Sequence, residues 1–538
     1  MKRKQYLLWL SGIAILAGAI KAWLVLADHV PFNADEAVVA LMARHITQGE
    51  FPIFFYGQSY LGSLDALLVA GGFQLFGERV WVIRLLQGLL YAGTIVTTAA
   101  LGSRIIGTKK AGLLSGLLLA VPTVNVALYT TVSLGGYGEA LLIGNLILLL
   151  TLRIGNDLDQ GLPLGREVLW ALWGALAGLG LWVFGLTLVY ILPAGIILFY
   201  KLIKQSSWRH SLQAVSAAGV GGVIGSVPWW IYAIQEGGSD LMMELTGSAI
   251  AGATQAPVLL KPLIHTYHFL LFGITVIFGL RPPWGVEWLM LPLAPFAILL
   301  WFSVSLHMVQ SVRTSTKNKW GKSLLLSVIG VTIMGFILTP FGADPSGRYF
   351  LPLAPFLALF AADYILSVAE KSPRLGIGVT VFLLIFNAGG ILQSIHSTPH
   401  GLTTQFDPVA RVNHDYDREL IDFLLDEDIK RGYTNYWVAY PLAFKSREEL
   451  IFVPALPYHH DFRYTSRDNR YQPYQAMVDR SSTAAYITTN HQPLNRYLRQ
   501  KFQEHDVRWS EKTIGDYRVF FAMDRKIIPE EIGLGETN

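Results

Sequence analysis

For roughly its first three quarters the chain alternates long apolar runs with short polar, mostly basic loops, and then it changes to a mixture of short amphipathic segments. A run of about 20 apolar residues is long enough to cross a bilayer as a helix. Such runs fall at Tyr6–Ala27 and at about 80–103, 111–128, 136–152, 168–184, 187–203, 211–232, 287–309, 322–340, 349–369 and 375–393, which predicts eleven transmembrane helices. Basic residues collect in one set of loops: Arg104, Lys109 and Lys110; Arg153 and Arg166; Lys201, Lys204 and Arg209; Arg313, Lys317, Lys319 and Lys322; Lys371 and Arg374. The positive-inside rule makes these loops cytoplasmic, together with the amino-terminal Lys2, Arg3 and Lys4. Pro262–Leu280 is also long enough to cross, but a crossing there would turn the Arg313–Lys322 loop outward, so a re-entrant or interfacial segment is predicted. No small-residue cleavage site follows the first run, so it is read as an uncleaved helix. An odd number of crossings then leaves the C-terminal region outside.

The pattern changes near Ser394. Beyond it lie 21 Asp plus Glu against 18 Lys plus Arg, so the net charge of +4 divides into a basic membrane part and a slightly acidic outer part. Two domains are expected: residues 1–394, a transmembrane body, and residues 395–538, a soluble extracytoplasmic α/β domain. Helical periodicity marks Asp417–Lys430 and Pro493–Phe502; strand-like runs mark Tyr436–Tyr440, Leu450–Pro454, Ala484–Thr488 and Tyr517–Met523. Composition agrees, with 52% hydrophobic and 15% charged residues where a soluble domain carries about 25% charge. The absence of cysteine excludes disulfides, thiol catalysis and cysteine metal sites. Internal repeats and the usual nucleotide-binding glycine loops are lacking, and no nucleic-acid partner is expected.

Candidate chemistry concentrates in residues 28–62, just past the first membrane exit. Asp35 and Glu36 open a helix expected to run from about Asp35 to Gln48, capped by Asn33, with Glu36 placed to complete a capping box. That alone describes a well-started interfacial helix; the alternative is general-base machinery, because adjacent carboxylates at a membrane surface cost solvation. Phe51-Pro52, Tyr56-Gly57-Gln58-Ser59-Tyr60-Leu61-Gly62, Phe76-Gly77 and Ile83-Arg84-Leu85 follow. A first transmembrane helix, an Asp-Glu pair after it, an amphipathic helix and these motifs together resemble the GT-C superfamily of membrane glycosyltransferases, most closely the branch of protein mannosyltransferases and the lipid A aminoarabinose transferase. The resemblance is specific over residues 1–110 and looser to about residue 395.

The resemblance implies a mainly α, polytopic GT-C membrane domain and an inverting transfer of a hexosyl or pentosyl group from a polyprenyl-phosphate sugar. The acceptor would be a lipid, glycan or protein on the extracytoplasmic side. Asp35 becomes the expected base, with Glu36 orienting it or a bound sugar. A lipid-phosphate leaving group calls for cations at the outer ends of helices. Arg348, in Ala343-Asp344-Pro345-Ser346-Gly347-Arg348-Tyr349, is the leading candidate, set against a snorkelling arginine paired with Asp344. Arg84 is a second phosphate candidate or a helix anchor. Glu139, after Ser133-Leu134-Gly135-Gly136-Tyr137-Gly138, is expected at the outer mouth of a span, as a second acidic group or as an ordinary helix-start acid.

Tyr56, Tyr60 and Tyr349 are expected to line the substrate site. Lys21 and Lys261 are expected to snorkel. His265 and His268 share a helical face, more in keeping with interface hydrogen bonding than with metal binding; no cofactor is expected to be obligatory, a divalent cation remaining possible. The outer domain's aromatics, in Tyr433–Trp437 and Tyr458–His460, suit carbohydrate binding or a small core. Competing readings are a lipid-linked sugar flippase, disfavoured because charges cluster at the outer mouth and not at the midplane, and a silent scaffold. The lack of cysteine and of an endoplasmic-reticulum retention signal points to a bacterial inner membrane.

Overall fold

The computed structural model describes residues 1–160, 167–205, 207–235, 237, 257, 259–314, 319–397 and 401–535. Arg166 and Lys317 of the basic loops lie outside them. Among the described residues, eight helices are long and apolar enough to cross a membrane: Arg3–Leu26, Val80–Ile105, Tyr137–Asp159, Gly185–Gln205, Ala294–Thr314, Lys319–Leu338, Leu353–Lys371 and Pro373–His396. The protein is an integral membrane protein. A ninth is available if Trp208–Gly225 and Val227–Gln235, bent by 60°, form one span.

The difference from the eleven expected helices has local causes. The run at 111–128 is broken by Pro122, so the helix Lys109–Ala120 stops and a short one, Val124–Tyr129, restarts. The run at 168–184 forms Glu167–Val183, a helix of 17 residues. Pro262–Leu280 is helical to Ile277, the α-helical Lys261–His268 and Ile274–Ile277 being joined by a wider π-helical turn at Phe269–Gly273.

The chain folds as two compact units. The first comprises Met1–His29, Tyr60–Asp65 and Arg84–Leu402. Its helices approach closely where small residues face each other: a Cβ on Gly174 would sit 1.9 Å from the Ala218 carbonyl oxygen, and one on Gly225 2.0 Å from that of Ala175. Ile154, Leu158, Trp170, Leu198 and Leu202 form a buried cluster beside this seam.

The second unit comprises Val30–Ser59, Ala66–Ile83 and Thr403–Asn538. The first outer loop expected with the membrane body thus groups with the C-terminal region. After the short strands Phe54–Phe55 (β1) and Gln58–Gly62 (β2), a five-stranded sheet is built from Arg431–Thr434 (β3), Ile451–Pro454 (β4), Ala485–Thr488 (β5), Ser510–Ile514 (β6) and Tyr517–Phe521 (β7). Its order is β4-β3-β5-β7-β6. Strand β3 pairs in parallel with β4 and with β5, while β7 runs antiparallel to β5 and β6. Leu420, Leu424, Val438, Leu442, Phe452, Ile487 and Val519 form its core.

Tyr436–Tyr440, read from the sequence as a strand, is instead the start of the helix Tyr436–Lys445. Its aromatic and β-branched residues favour a strand, but the Asn435 side chain accepts a hydrogen bond from the Trp437 amide at 3.0 Å and starts a helix. The strand lies just upstream, where Gly432 lets β5 approach closely.

Candidate active site

Asp35 stands in the first turn of the helix Ala34–Thr47, in the second unit. The Asn33 carboxamide oxygen accepts from the Glu36 amide at 3.0 Å, so the predicted cap is in place. Glu36 is fully buried, and Asp35 is partly exposed. The Tyr436 hydroxyl donates to Asp35 Oδ1 at 2.5 Å. Burial, reinforced by the Asp35 charge, holds the Tyr436 phenol well above its ordinary pKa, so it remains a neutral donor.

Two charged groups stand behind this pair. The Arg470 guanidinium lies 5.4 Å from the centre of the Tyr436 ring. Asp468 is buried, and burial pushes its carboxyl up to about 7; Arg470 opposes the rise and Asp35 adds to it. The Tyr440 hydroxyl donates to the Asp468 carbonyl at 3.0 Å and accepts from the Arg470 amide at 2.5 Å, which fixes the turn carrying both. Tyr436 lies in the aromatic stretch Tyr433–Trp437 that the sequence marked for carbohydrate binding or a core, not as a partner of Asp35, and sequence reasoning did not find Asp468 or Arg470.

Tyr56 takes a different place from the one expected. Its hydroxyl pairs with His45 Nδ1 at 2.9 Å and its ring stacks on Tyr471 at 4.6 Å. His45 is ten residues beyond Asp35 on the same helix, about 15 Å along its axis. Glu448 gathers this cluster: it bonds His45 Nε2 at 2.9 Å, Tyr474 Oη at 2.6 Å and Arg44 at 3.2 Å. Burial works against ionisation of Glu448, but these hydrogen bonds prevail and hold its carboxyl down at about 2.

Within the first unit, Gly135 and Gly136 take positive φ angles of 77° and 76°, a conformation that favours glycine, and they lead into the helix Tyr137–Asp159. Glu139 lies in its first turn, buried, facing the Asp65 carboxyl, and among the described residues neither of its oxygens meets a donor in hydrogen-bonding geometry. Asp65 accepts from Gln87 Nε2 at 3.0 Å and from the Ser133 hydroxyl. Asp65 was not anticipated either.

Arg348 follows Gly347, whose φ is 99° and where a Cβ would fall 2.4 Å from Asn125 Oδ1. Its guanidinium pairs with Asp344 at 2.7 Å and lies 5.0 Å from the Tyr349 ring centre. The Tyr137 and Tyr60 side chains lie close to Tyr349. Three predicted residues, Arg348, Tyr349 and Tyr60, are therefore brought together, with Tyr137 as an unforeseen fourth. Arg84 is buried in the second turn of Val80–Ile105.

No protein-family model matches the chain, and no curated sequence matches it significantly. Solved structures do. ArnT from Cupriavidus metallidurans bound to undecaprenyl phosphate superposes with a TM-score of 0.59 at 14% identity, over 96% of this chain and 98% of that one. The archaeal oligosaccharyltransferase AglB from Archaeoglobus fulgidus, in complex with an inhibitory peptide and a dolichol-phosphate, gives 0.51 at 12% identity, over 93% of this chain and 71% of that one. The chain has the GT-C fold.

Several polar side chains elsewhere in this fold are occupied structurally. Lys21, expected to snorkel, is buried and donates to the Thr130 carbonyl at 2.5 Å and to the Thr130 and Thr131 hydroxyls at 2.8 and 2.9 Å. It cannot reach the surface because the 130–131 turn holds it inside. His265 Nδ1 pairs with the Ile337 carbonyl and His268 Nδ1 with that of Gly342, both at 2.9 Å. Among the described residues, no group of three or more His, Asp or Glu side chains is arranged to hold a metal ion.

Proposed function

We propose that this protein is a membrane glycosyltransferase that moves a sugar from a polyprenyl-phosphate carrier to a hydroxyl or amine of an extracytoplasmic acceptor. The observation that carries the reading is the GT-C fold over 96% of the chain, with a carboxylate, Asp35, at the start of its first outer helix. The lipid phosphates bound by ArnT and AglB support the donor class.

In the reaction, the acceptor oxygen or nitrogen attacks the anomeric carbon from the face opposite the phosphate, inverting its configuration. The bond from that carbon to the phosphate oxygen breaks, and the electron pair leaves with the lipid phosphate. Asp35 takes the acceptor's proton, with Glu36 orienting Asp35 or the bound sugar. Arg348 binds the departing phosphate in a two-pronged fork, for which it must exchange its Asp344 partner, with Arg84 as a further cation. Tyr60 and Tyr349 line the donor, and Glu139 is the second acidic group of the chemistry. The membrane would be a bacterial inner membrane, with the N-terminus cytoplasmic and the C-terminal region outside.

The test is transfer from a panel of radiolabelled polyprenyl-phosphate sugars into membrane acceptors. Asp35→Asn, which keeps shape and removes the base, should lower kcat by ~10²- to 10⁴-fold while donor binding persists. Undiminished transfer by Asp35→Asn removes Asp35 from its role, and no transfer by folded wild type from any donor overturns the reading.

A further inference from the structure

We propose that Tyr436 is a positioning residue for Asp35, so that the C-terminal part of the chain takes part in proton removal from the acceptor; this rests on reading Asp35 as the base. Tyr436 is the first residue of the helix that leaves the carboxyl end of β3. That end is distinctive, because β4 pairs with one edge of β3 and β5 with the other, all three in parallel. Strand order reverses there, and open α/β sheets bind ligands outside the carboxyl ends of their strands at such a reversal.

The phenol is fixed from several directions. Asn435, just before it, caps the helix and also donates from Nδ2 to Thr489 Oγ1 at 3.3 Å, beyond the end of β5. The ring of Tyr436 meets Trp437 at 5.3 Å and Tyr440 at 5.5 Å, both edge to face, with Arg470 over it. Held in this way, a side chain only 4% exposed directs its hydroxyl to Asp35 Oδ1.

A carboxylate rotates about a soft terminal torsion. A donor fixed on one oxygen sets that rotation and leaves Oδ2 to meet the acceptor proton in a defined orientation, which is the geometry that proton transfer needs. Among the described residues no other side chain hydrogen-bonds to Asp35. The buried turn with Asp468 and Arg470 backs the phenol, so the positioning group is itself supported.

The test is a double-mutant cycle on the full-length protein in detergent, with the panel donor that wild type turns over and with donor binding and thermal melting measured for each variant. Tyr436→Phe is expected to lower kcat about 10- to 100-fold, leaving KM for the acceptor and donor affinity within about twofold. In the Asp35→Asn background, Tyr436→Phe should change kcat by less than about twofold, because the group it acts through is gone. Tyr486→Phe serves as a control: its buried hydroxyl donates to the Ile527 carbonyl at 2.9 Å, and its loss should lower the melting temperature without changing kcat. Wild-type kcat in Tyr436→Phe overturns the proposal, and so does a loss that multiplies undiminished onto that of Asp35→Asn, the mark of a merely structural hydroxyl. Full activity of Asp35→Asn, or no turnover by folded wild type, overturns instead the reading on which the proposal rests.

Discussion

Two carboxyls in the second unit, Asp468 buried and Glu448 half-buried, have been pushed in opposite directions. Asp468, held up at about 7 chiefly by burial, favours the folded state when protonated. Its contribution is complete below the ordinary carboxylate range and is lost as pH rises through about 7. Glu448, held down at about 2 by the donors of His45, Tyr474 and Arg44 against the cost of burial, favours the folded state when ionised. Its contribution is present above the ordinary carboxylate range and is lost as pH falls toward 2. Asp468→Asn should therefore raise the melting temperature at pH 8 relative to wild type and flatten the decline between about pH 4 and pH 7, while Glu448→Gln should weaken the protein most near neutrality and bring the two curves together in acid. Melting curves by intrinsic fluorescence across pH 3 to 8 separate the two; a pH-independent difference for Asp468→Asn would show that its carboxyl does not titrate in that window.

Elements here are set by short-range chemistry where a cap is present. The helix Ala34–Thr47 begins where Asn33 can accept from the Glu36 amide, and that cap also holds Asp35 in the first turn. Asn33→Ala should cost about 1 kcal/mol of stability, and Asn33→Ser should recover most of it, read as a lower and then restored melting temperature. Equal melting for all three proteins would show that tertiary contacts, not the cap, start this helix. The same chemistry explains the misread segment at Tyr436–Tyr440. Its side chains suit a strand, yet Asn435 is a good cap and the neighbouring strand position was already filled by Arg431–Thr434. Periodicity over five residues could not decide between the two, because side-chain preference for strands is weak against a cap and burial of Val438 and Leu442 in the core.

For the whole molecule, the alternation of basic and neutral loops predicts which ends face the cytoplasm. A chain without cysteine allows a direct check. Thr108→Cys, beside Lys109 and Lys110, should react with a membrane-impermeant maleimide only after permeabilisation, and Ser482→Cys, exposed in the C-terminal region, should react in intact cells. Labelling of both from outside would reverse or break the assigned topology. The division into two units also belongs to this scale. Residues 30–59 and 66–83 fold with the C-terminal region although some 320 residues separate Ile83 from Thr403.

Much of the membrane body was legible because bilayer length acts on each segment by itself: a run either reaches across hydrocarbon or does not. Asp35, Glu36 and their cap were legible for a similar reason, since all the atoms of a helix start lie within four residues. Arg348 and Tyr349 could be marked because they share a turn, but Tyr137, which lies beside them, comes from another helix. Tyr436 donates to a carboxylate 401 positions away, and Asp468 acquires its titration range only from burial beside Arg470 and Asp35. Such pairings depend on which surfaces meet after the sheet has formed, and no spacing along the chain encodes them. The sequence by itself thus determined the membrane character, the capped helix after the first span and its carboxylates. Tertiary structure alone decided which phenol stands against Asp35 and which arginine and second carboxyl stand behind that phenol, because burial and distance, not residue identity, make a neutral donor and a raised carboxyl out of an ordinary tyrosine and aspartate.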